Sequence, residues 1–387
     1  MSNAGPISEE MDNRLSPLLH AMEKLRQQGN GEVSVPGVVV TGAQSAGKSS
    51  VLEALGGIKL PRGQNITTRV PLVLSLQNVP GVSPHTLIGR EPDPEKEINI
   101  SSVDGEIKTL TTELAGDGIG VSNSVIYLKI VRDSGPTLTL IDLPGITHNS
   151  ADGSDIHAQT VALVKEYIQN KNVVILVVIP AMDDFANAEA VKLAKEYDPD
   201  GSRTLGVVTK VDNVHEGCGI KSKLRMEGGQ VQLQLGFIAV VNRTPKEVEN
   251  DTPAEEVRAR EQTFFSTNPE VAGLEKEFWG LDTLVERIVE LQLERVYEFV
   301  PGFISSSKTR IKQLKSDLSK MSKPLTSDTQ RRDAFHTIMS ALSQGLKELV
   351  VSASAEIICD SGGSKMNIVP RVTEMYRKYT SDMRQVC

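Results

Sequence analysis

Residues 42–49 read Gly-Ala-Gln-Ser-Ala-Gly-Lys-Ser, a G-x-x-x-x-G-K-S sequence set between the β-branched run Val38–Thr41 and the helix-forming run 50–55. The chemistry served by this spacing is the cradling of phosphate. Gly42 and Gly47 let the backbone turn tightly enough for consecutive N–H groups, those of Ser45 and Ala46 through Ser50, to face an anion, and the following helix adds its positive end. Lys48 is then expected to bridge the β- and γ-phosphates, and the Ser49 hydroxyl to ligate Mg²⁺.

Two further stretches carry chemistry of the same kind. Residues 137–142 form a strand pattern ending in Asp142, followed by Leu143-Pro144-Gly145. Asp142 is expected to hold Mg²⁺ through water, and the Gly145 N–H to contact the γ-phosphate. Downstream, Leu205–Val208 leads into Thr209-Lys210-Val211-Asp212. The Asp212 carboxylate can accept from N1–H and the 2-amino group of guanine while the Lys210 stem lies along the base. Adenine offers neither donor, a loss on the order of 10⁴-fold in sites built on polar pairing, so the expected nucleotide is GTP.

The attacking water needs its own partners. Between the first two motifs, residues 60–69 have a mobile-loop composition, and Thr68 is preferred over Thr67 as the group serving Mg²⁺ and the water. Gly145 is followed by Ile146, with no glutamine there to orient water. Gln44 and Ser45 are the polar candidates inside the phosphate loop itself.

These motifs need a frame of strands. The chain has 387 residues, enough for one large domain and an appendage or for two domains. Short β-branched runs recur at Val38–Thr41, 72–77, 125–130, 137–141, 173–179, 204–208 and 237–241, separated by helical stretches. This alternation predicts an α/β fold with a mixed, mostly parallel sheet. Residues 78–117 read as an insertion rich in turn residues and charge. Apolar stripes at helical spacing run over 7–26, over 303–321 and from about 328 to 358, with Lys323-Pro324 closing the second.

Composition narrows the class. No apolar run approaches the roughly 20 residues of a membrane span, the N-terminal residues lack the pattern of a secretory signal, and the three cysteines have no metal-ligand spacing. A cytoplasmic protein is therefore expected. The net charge of −8 is uneven, because residues 301–387 carry 14 Lys and Arg against 8 Asp and Glu. A basic tail fits either a solvated helix face or contact with an anionic partner.

Taken with Leu60-Pro-Arg-Gly63, Thr68-Arg-Val-Pro71, Asp198-Pro-Asp-Gly201 and Val241-Asn-Arg-Thr244, the phosphate loop, Asp142–Thr147 and Thr209–Asp212 resemble the GTPase domain of the dynamin superfamily. Trp279-Gly-Leu-Asp-Thr-Leu284 inclines the resemblance to the Mx-like branch. It implies a Ras-like P-loop GTPase domain over 33–300, bundle helices over 1–32 and 301–325, and a partial helical stalk over 326–387. It implies base contacts from Asn242 and Arg243, and GTPase heads that dimerise, with Asp184 at the contact. It further implies no arginine finger, its place taken by K⁺ or Na⁺ held by Ser45 and the Gly63 backbone, with Gln44 and Thr68 placing the water. Two residues depart from the family pattern: His215 stands where an acid reaches the partner's nucleotide, and Pro245 replaces a polar residue. The resemblance also leads one to expect a truncation after the start of the stalk, so helical assembly is not implied.

The expected activity is Mg²⁺-dependent GTP hydrolysis. The rival from another class is a GTP-binding interaction protein with little turnover; an ATP-driven motor is disfavoured by Asp212. A membrane lipid, a microtubule or another protein remains open as partner, and no signature of specific nucleic-acid recognition is present.

Overall fold

A computed structural model describes residues 17, 36–61, 68–92, 94–116, 118, 120–133, 135–147, 156–227, 231–320, 327–351 and 375–378. Among them the strands are β1 (Val38–Thr41), β2 (Leu72–Asn78), β3 (His85–Gly89), β4 (Lys96–Ile98), β5 (Ile126–Arg132), β6 (Leu138–Asp142), β7 (Val174–Pro180), β8 (Thr204–Thr209) and β9 (Phe237–Ala239). The helices are α1 (Lys48–Gly56), α2 (Val103–Ala115), α3 (Ile156–Ile168), α4 (Glu189–Tyr197), α5 (Ile220–Leu224), α6 (Pro245–Glu249), α7 (Ala254–Thr267), α8 (Leu281–Lys320) and α9 (Asp328–Val351). The strands form one mixed sheet in the order β4-β3-β5-β2-β6-β1-β7-β8-β9.

The middle of the sheet follows from its residues. β1 is Val-Val-Val-Thr and β7 begins Val-Ile-Leu-Val-Val-Ile, and every one of these side chains is buried, as expected for strands covered on both faces. Alternate residues feed two cores. Val38 and Val40 pack on one face with Val51, Leu52 and Leu55 of α1, while Val39, Ile175 and Val177 pack on the other with Val164 and Ile168 of α3. Gly206 of β8 is fixed by space, since a Cβ there would lie 2.0 Å from the Phe237 ring. β1 runs parallel to β6 and β7, β7 to β8, and β8 to β9. The segments leaving these strands therefore emerge along one edge of the sheet, where ligands of open α/β sheets sit.

Some elements are not marked by the sequence pattern. The stretch read as an insertion rich in turn residues and charge contains β3 and β4, which extend the sheet antiparallel beyond β5, and α2. Both strands are short and polar-flanked, and only Thr86 and Ile88 of β3 point inward. Pro301, after which the sequence predicts helices in place of strands, lies inside one continuous helix, α8. The compact units are Met1–Ser306 and Ser307–Cys387, and the change of unit along α8 falls after Ser306.

In α8, Ile304, Ile311, Leu314 and Leu318 are exposed, and in α9 Phe335, Ile338, Met339 and Leu342 are, which are largely the residues of the two predicted stripes. No described helix is long and apolar enough to cross a membrane. The helix predicted over 7–26 apart from residue 17, together with Gly63, Thr67 and nearly all of 352–387, lies outside the described residues.

One buried cation holds the far edge of the sheet together. The Arg203 guanidinium donates to the carbonyls of Ile168 (2.8 Å), Tyr197 (3.0 Å), Asn170 (3.2 Å) and Val173 (3.3 Å), joining the ends of α3 and α4 to β7 and β8. Arg203→Met keeps the stem but leaves these acceptors unpaired. It is expected to cost about 3 kcal/mol or more in a denaturant titration, and a loss within error of zero would show that water replaces the guanidinium.

Candidate functional site

The loop after β1 is shaped by close approaches of its own backbone. A Cβ at Gly42 would lie 2.4 Å from the Val178 carbonyl oxygen, and Gly47 takes φ 98° before α1 begins. Ser45 is exposed and also left-handed, at φ 63°, a conformation that non-glycine residues seldom adopt away from functional turns. The loop is tied to the segment after β6: the Gln44 amide donates to the Ile146 carbonyl (2.9 Å), and the Ile146 amide to the Gly42 carbonyl (3.1 Å). Gly145 passes so near that a Cβ on it would stand 2.9 Å from Lys48 Nζ.

Lys48 and Asp142 face each other in the buried floor. The Lys48 ammonium donates to the carbonyls of Gly42 and Ala43, each at 3.2 Å. Burial lowers its pKa, with the Asp142 charge acting against that. Asp142 Oδ2 accepts from Thr68 Oγ1 at 3.1 Å and Ser49 Oγ at 3.5 Å. Burial pushes the Asp142 carboxyl up to about 6, against the opposing pull of Lys48 and the two hydroxyls. Its other oxygen, Oδ1, is buried without a hydrogen-bond partner. A buried carboxylate oxygen with nothing to accept marks a place where a cation or its water fits. Two hydroxyls beside a carboxylate form the hard oxygen set that suits Mg²⁺. Among the described residues no cluster of three or more His, Cys, Asp and Glu could hold a metal; Mg²⁺ shared with phosphate does not need one.

The segment after β8 closes on the same loop. Thr209 is fully buried, its hydroxyl donates to the Ala46 carbonyl at 2.5 Å, and its side chain lies against Gly47. Lys210 then turns left-handed at φ 56°, and the exposed Asp212 sits in a short turn, Val211–Asn213. After β9, Asn242 and Arg243 are half-buried. Pro245 is the first residue of α6, where a missing N–H costs nothing, and Thr244 with Glu247 caps that helix reciprocally. This accounts for the proline that departs from the family pattern.

Hydrogen bonds and close approaches thus join Gly42, Gly47, Lys48, Ser49, Thr68, Asp142, Gly145 and Thr209 into one constellation. Gln44 joins through its backbone, while Asp212, Asn242 and Arg243 lie on segments from the same sheet edge. Asp184 and His215 are exposed and form none of these bonds; Asp184 accepts from the Ala186 amide (3.0 Å) and Asn187 Nδ2 (2.6 Å). Two residues carry no motif in the sequence and emerge only from the fold. Arg260 donates to the Asn242 carbonyl at 2.8 Å, and Glu261 accepts from the Val241 amide at 2.9 Å. The available signal was a carboxylate at a core-facing position of α7, four residues before the buried Phe265.

Comparison with known proteins finds dynamins and their relatives. The model of the dynamin family matches residues 38–211, and that of the dynamin central region residues 224–386. The chain is 30% identical to dynamin-related protein 4C of Arabidopsis thaliana over 390 residues, covering 99% of this chain and 56% of that protein. It is 32% identical to interferon-induced GTP-binding protein Mx1 of Equus caballus over 336 residues, 85% of this chain and 51% of the relative. With interferon-induced GTP-binding protein Mx2 of Canis lupus familiaris the identity is 38% over 299 residues, 76% and 42% of the two chains. The chain spans about half the length of the curated relatives it matches.

Proposed function

The chain belongs to the dynamin family, and from that premise we propose that it binds GTP with Mg²⁺ and hydrolyses it. The observation that carries this reading is the convergence of Lys48, Ser49 and Thr68 around a buried Asp142 with one unpaired oxygen. Ser49, Thr68 and, through water, Asp142 would hold the Mg²⁺, which when bound supplies positive charge to the phosphate oxygens. Lys48 and the loop amides of residues 45–50 hold the phosphates and stabilise charge on the transferred group, so the protein contributes position and electrostatics rather than covalent chemistry. Asp212 reads the guanine edge, with Lys210, Asn242 and Arg243 around the base. Ser45, in its left-handed turn, would hold a monovalent cation, and Gln44 and Thr68 would orient the water.

GTPase heads paired across their nucleotide faces would complete the site, with Asp184 at the contact and His215 where the family pattern has an acid that reaches the partner's nucleotide. The test is GTP turnover per molecule as a function of protein concentration, repeated with lipid vesicles and with microtubules. A rise with concentration supports hydrolysis by paired heads. Tight GTP binding with flat, negligible turnover overturns it in favour of a GTP-binding interaction protein, and a response to one additive names the partner class. Gln44→Ala and Thr68→Ala are each expected to lower kcat by roughly 100-fold and to lower GTP affinity less than turnover, as groups assigned to the attacking water should. Wild-type turnover in either variant would remove that residue from the reaction.

A further inference from the structure

The segment 241–243 after β9 is held from behind by two consecutive residues of α7. Arg260 Nη2 donates to the Asn242 carbonyl at 2.8 Å and pairs with Glu247, the residue that caps α6. Glu261 accepts from the Val241 amide at 2.9 Å with one oxygen and from the Leu281 amide at 3.0 Å with the other. Leu281 is the first residue of α8, so its N–H has no acceptor within the helix, and Val241 lies past the last residue of β9. One carboxylate, only 5% exposed, therefore satisfies two backbone donors from two different elements. The surroundings fix it in place: Phe265 stacks on Trp279 at 4.6 Å, the Gly280 amide donates to the Ala239 carbonyl at 2.9 Å, and Ala239 pairs with Trp279 beside β9.

We propose that Glu261 is a positioning residue that sets the base-contacting segment 241–243 and ties it to the first turn of α8, so that guanine occupancy is felt at the start of that helix. The proposal rests on the GTP reading above. A carboxylate can accept two N–H groups at once, and charge-assisted bonds of this kind are among the strong ones. Any shift of Val241 on contact with the base must move the carboxylate or break a bond to it, and the other oxygen carries that constraint to Leu281. Burial raises the Glu261 pKa and the two amides hold it down, consistent with a carboxyl whose charge is used by its backbone partners. None of these bonds involves residues 42–50 or 142–145, to which the phosphates are assigned.

The separation of base from phosphate makes the test. Glu261→Gln turns one acceptor into a donor facing an N–H, so one of the two bonds is lost. Binding of a non-hydrolysable GTP analogue and of inorganic tripolyphosphate is measured on the full chain. The variant is expected to bind the analogue roughly tenfold more weakly and tripolyphosphate as wild type does. In the wild type the analogue, but not tripolyphosphate, is expected to slow hydrogen exchange at the Leu281 amide. Arg260→Ala, at a half-exposed side chain that acts on Asn242, is expected to show the same affinity split and serves if the Glu261 variant does not fold. An unchanged or equal loss for both ligands, or no base-dependent slowing at Leu281, overturns the inference alone. A wild-type protein with no preference for the GTP analogue over tripolyphosphate overturns the guanine reading and this inference with it.

Discussion

Replacing Lys48 with alanine is expected to remove GTP binding while leaving the fold in place. An ammonium has three donors and no acceptor. Two of the three are directed at the Gly42 and Ala43 carbonyls, each at 3.2 Å, which leaves the third for a phosphate oxygen. The group is buried and its pKa is lowered chiefly by that burial, so in the nucleotide-free protein its charge is destabilising and only partly offset by Asp142. A lysine whose folded pKa lies below its unfolded value detracts from stability while it is charged, so its removal relieves that cost and offsets the loss of its two carbonyl bonds. A bound triphosphate reverses the balance, because the ammonium then faces anionic oxygens in a site of low dielectric. The affinity of a fluorescent GTP analogue should fall at least about 100-fold, whereas the melting temperature without nucleotide should change little. Binding of the analogue at wild-type strength would remove the loop 42–49 from the nucleotide site; a collapse of the melting temperature would make Lys48 a structural residue.

How far the sequence reveals this site depends on what kind of signal each part leaves. The phosphate loop, Asp142 and Thr209 are legible because each ends a β-branched run, and parallel pairing of β1, β6, β7 and β8 brings those ends to one edge. β3 and β4 are not legible, because strands of five and three residues at the margin of a sheet bury too few side chains to show a period of two. The start of α8 at Leu281 is likewise hidden. Pro301-Gly302 reads as a boundary, since an interior proline removes a helical hydrogen bond, yet α8 continues through it. Arg260 and Glu261 are invisible for a different reason: their partners are backbone amides and carbonyls, and a backbone partner leaves no residue type to recognise at its end of the bond. The geometry of Asp142 shows what the motif alone does not. One oxygen accepts from Thr68 and Ser49, the hydroxyls assigned to the cation, and the other is buried and unpaired, so the carboxylate keeps an acceptor for the water through which it would hold the cation.

Asp212→Asn is expected to change which nucleotide the chain prefers. Asp212 is exposed in the turn that follows Lys210, and the wild-type carboxylate is acceptor-only. Guanine presents two donors to it, N1–H and the 2-amino group. Asparagine retains one acceptor, which can still take N1–H, but its amide N–H₂ then meets the 2-amino group donor to donor. Xanthine carries an oxygen at that position, and the same N–H₂ can donate to it, so the variant makes with xanthosine triphosphate the second hydrogen bond that it cannot make with GTP. In a site built on polar pairing such a mismatch is severe, and the GTP-to-XTP affinity ratio should shift on the order of 10³-fold or more. The side chain is solvated and takes no part in the packed interior, so the melting temperature without nucleotide should match wild type. Competition of GTP and XTP for a fluorescent guanine nucleotide, measured on wild type and variant, decides the matter. A ratio unchanged by the substitution would take Asp212 out of the base site and leave the phosphate loop without an assigned guanine reader, reopening the choice of purine.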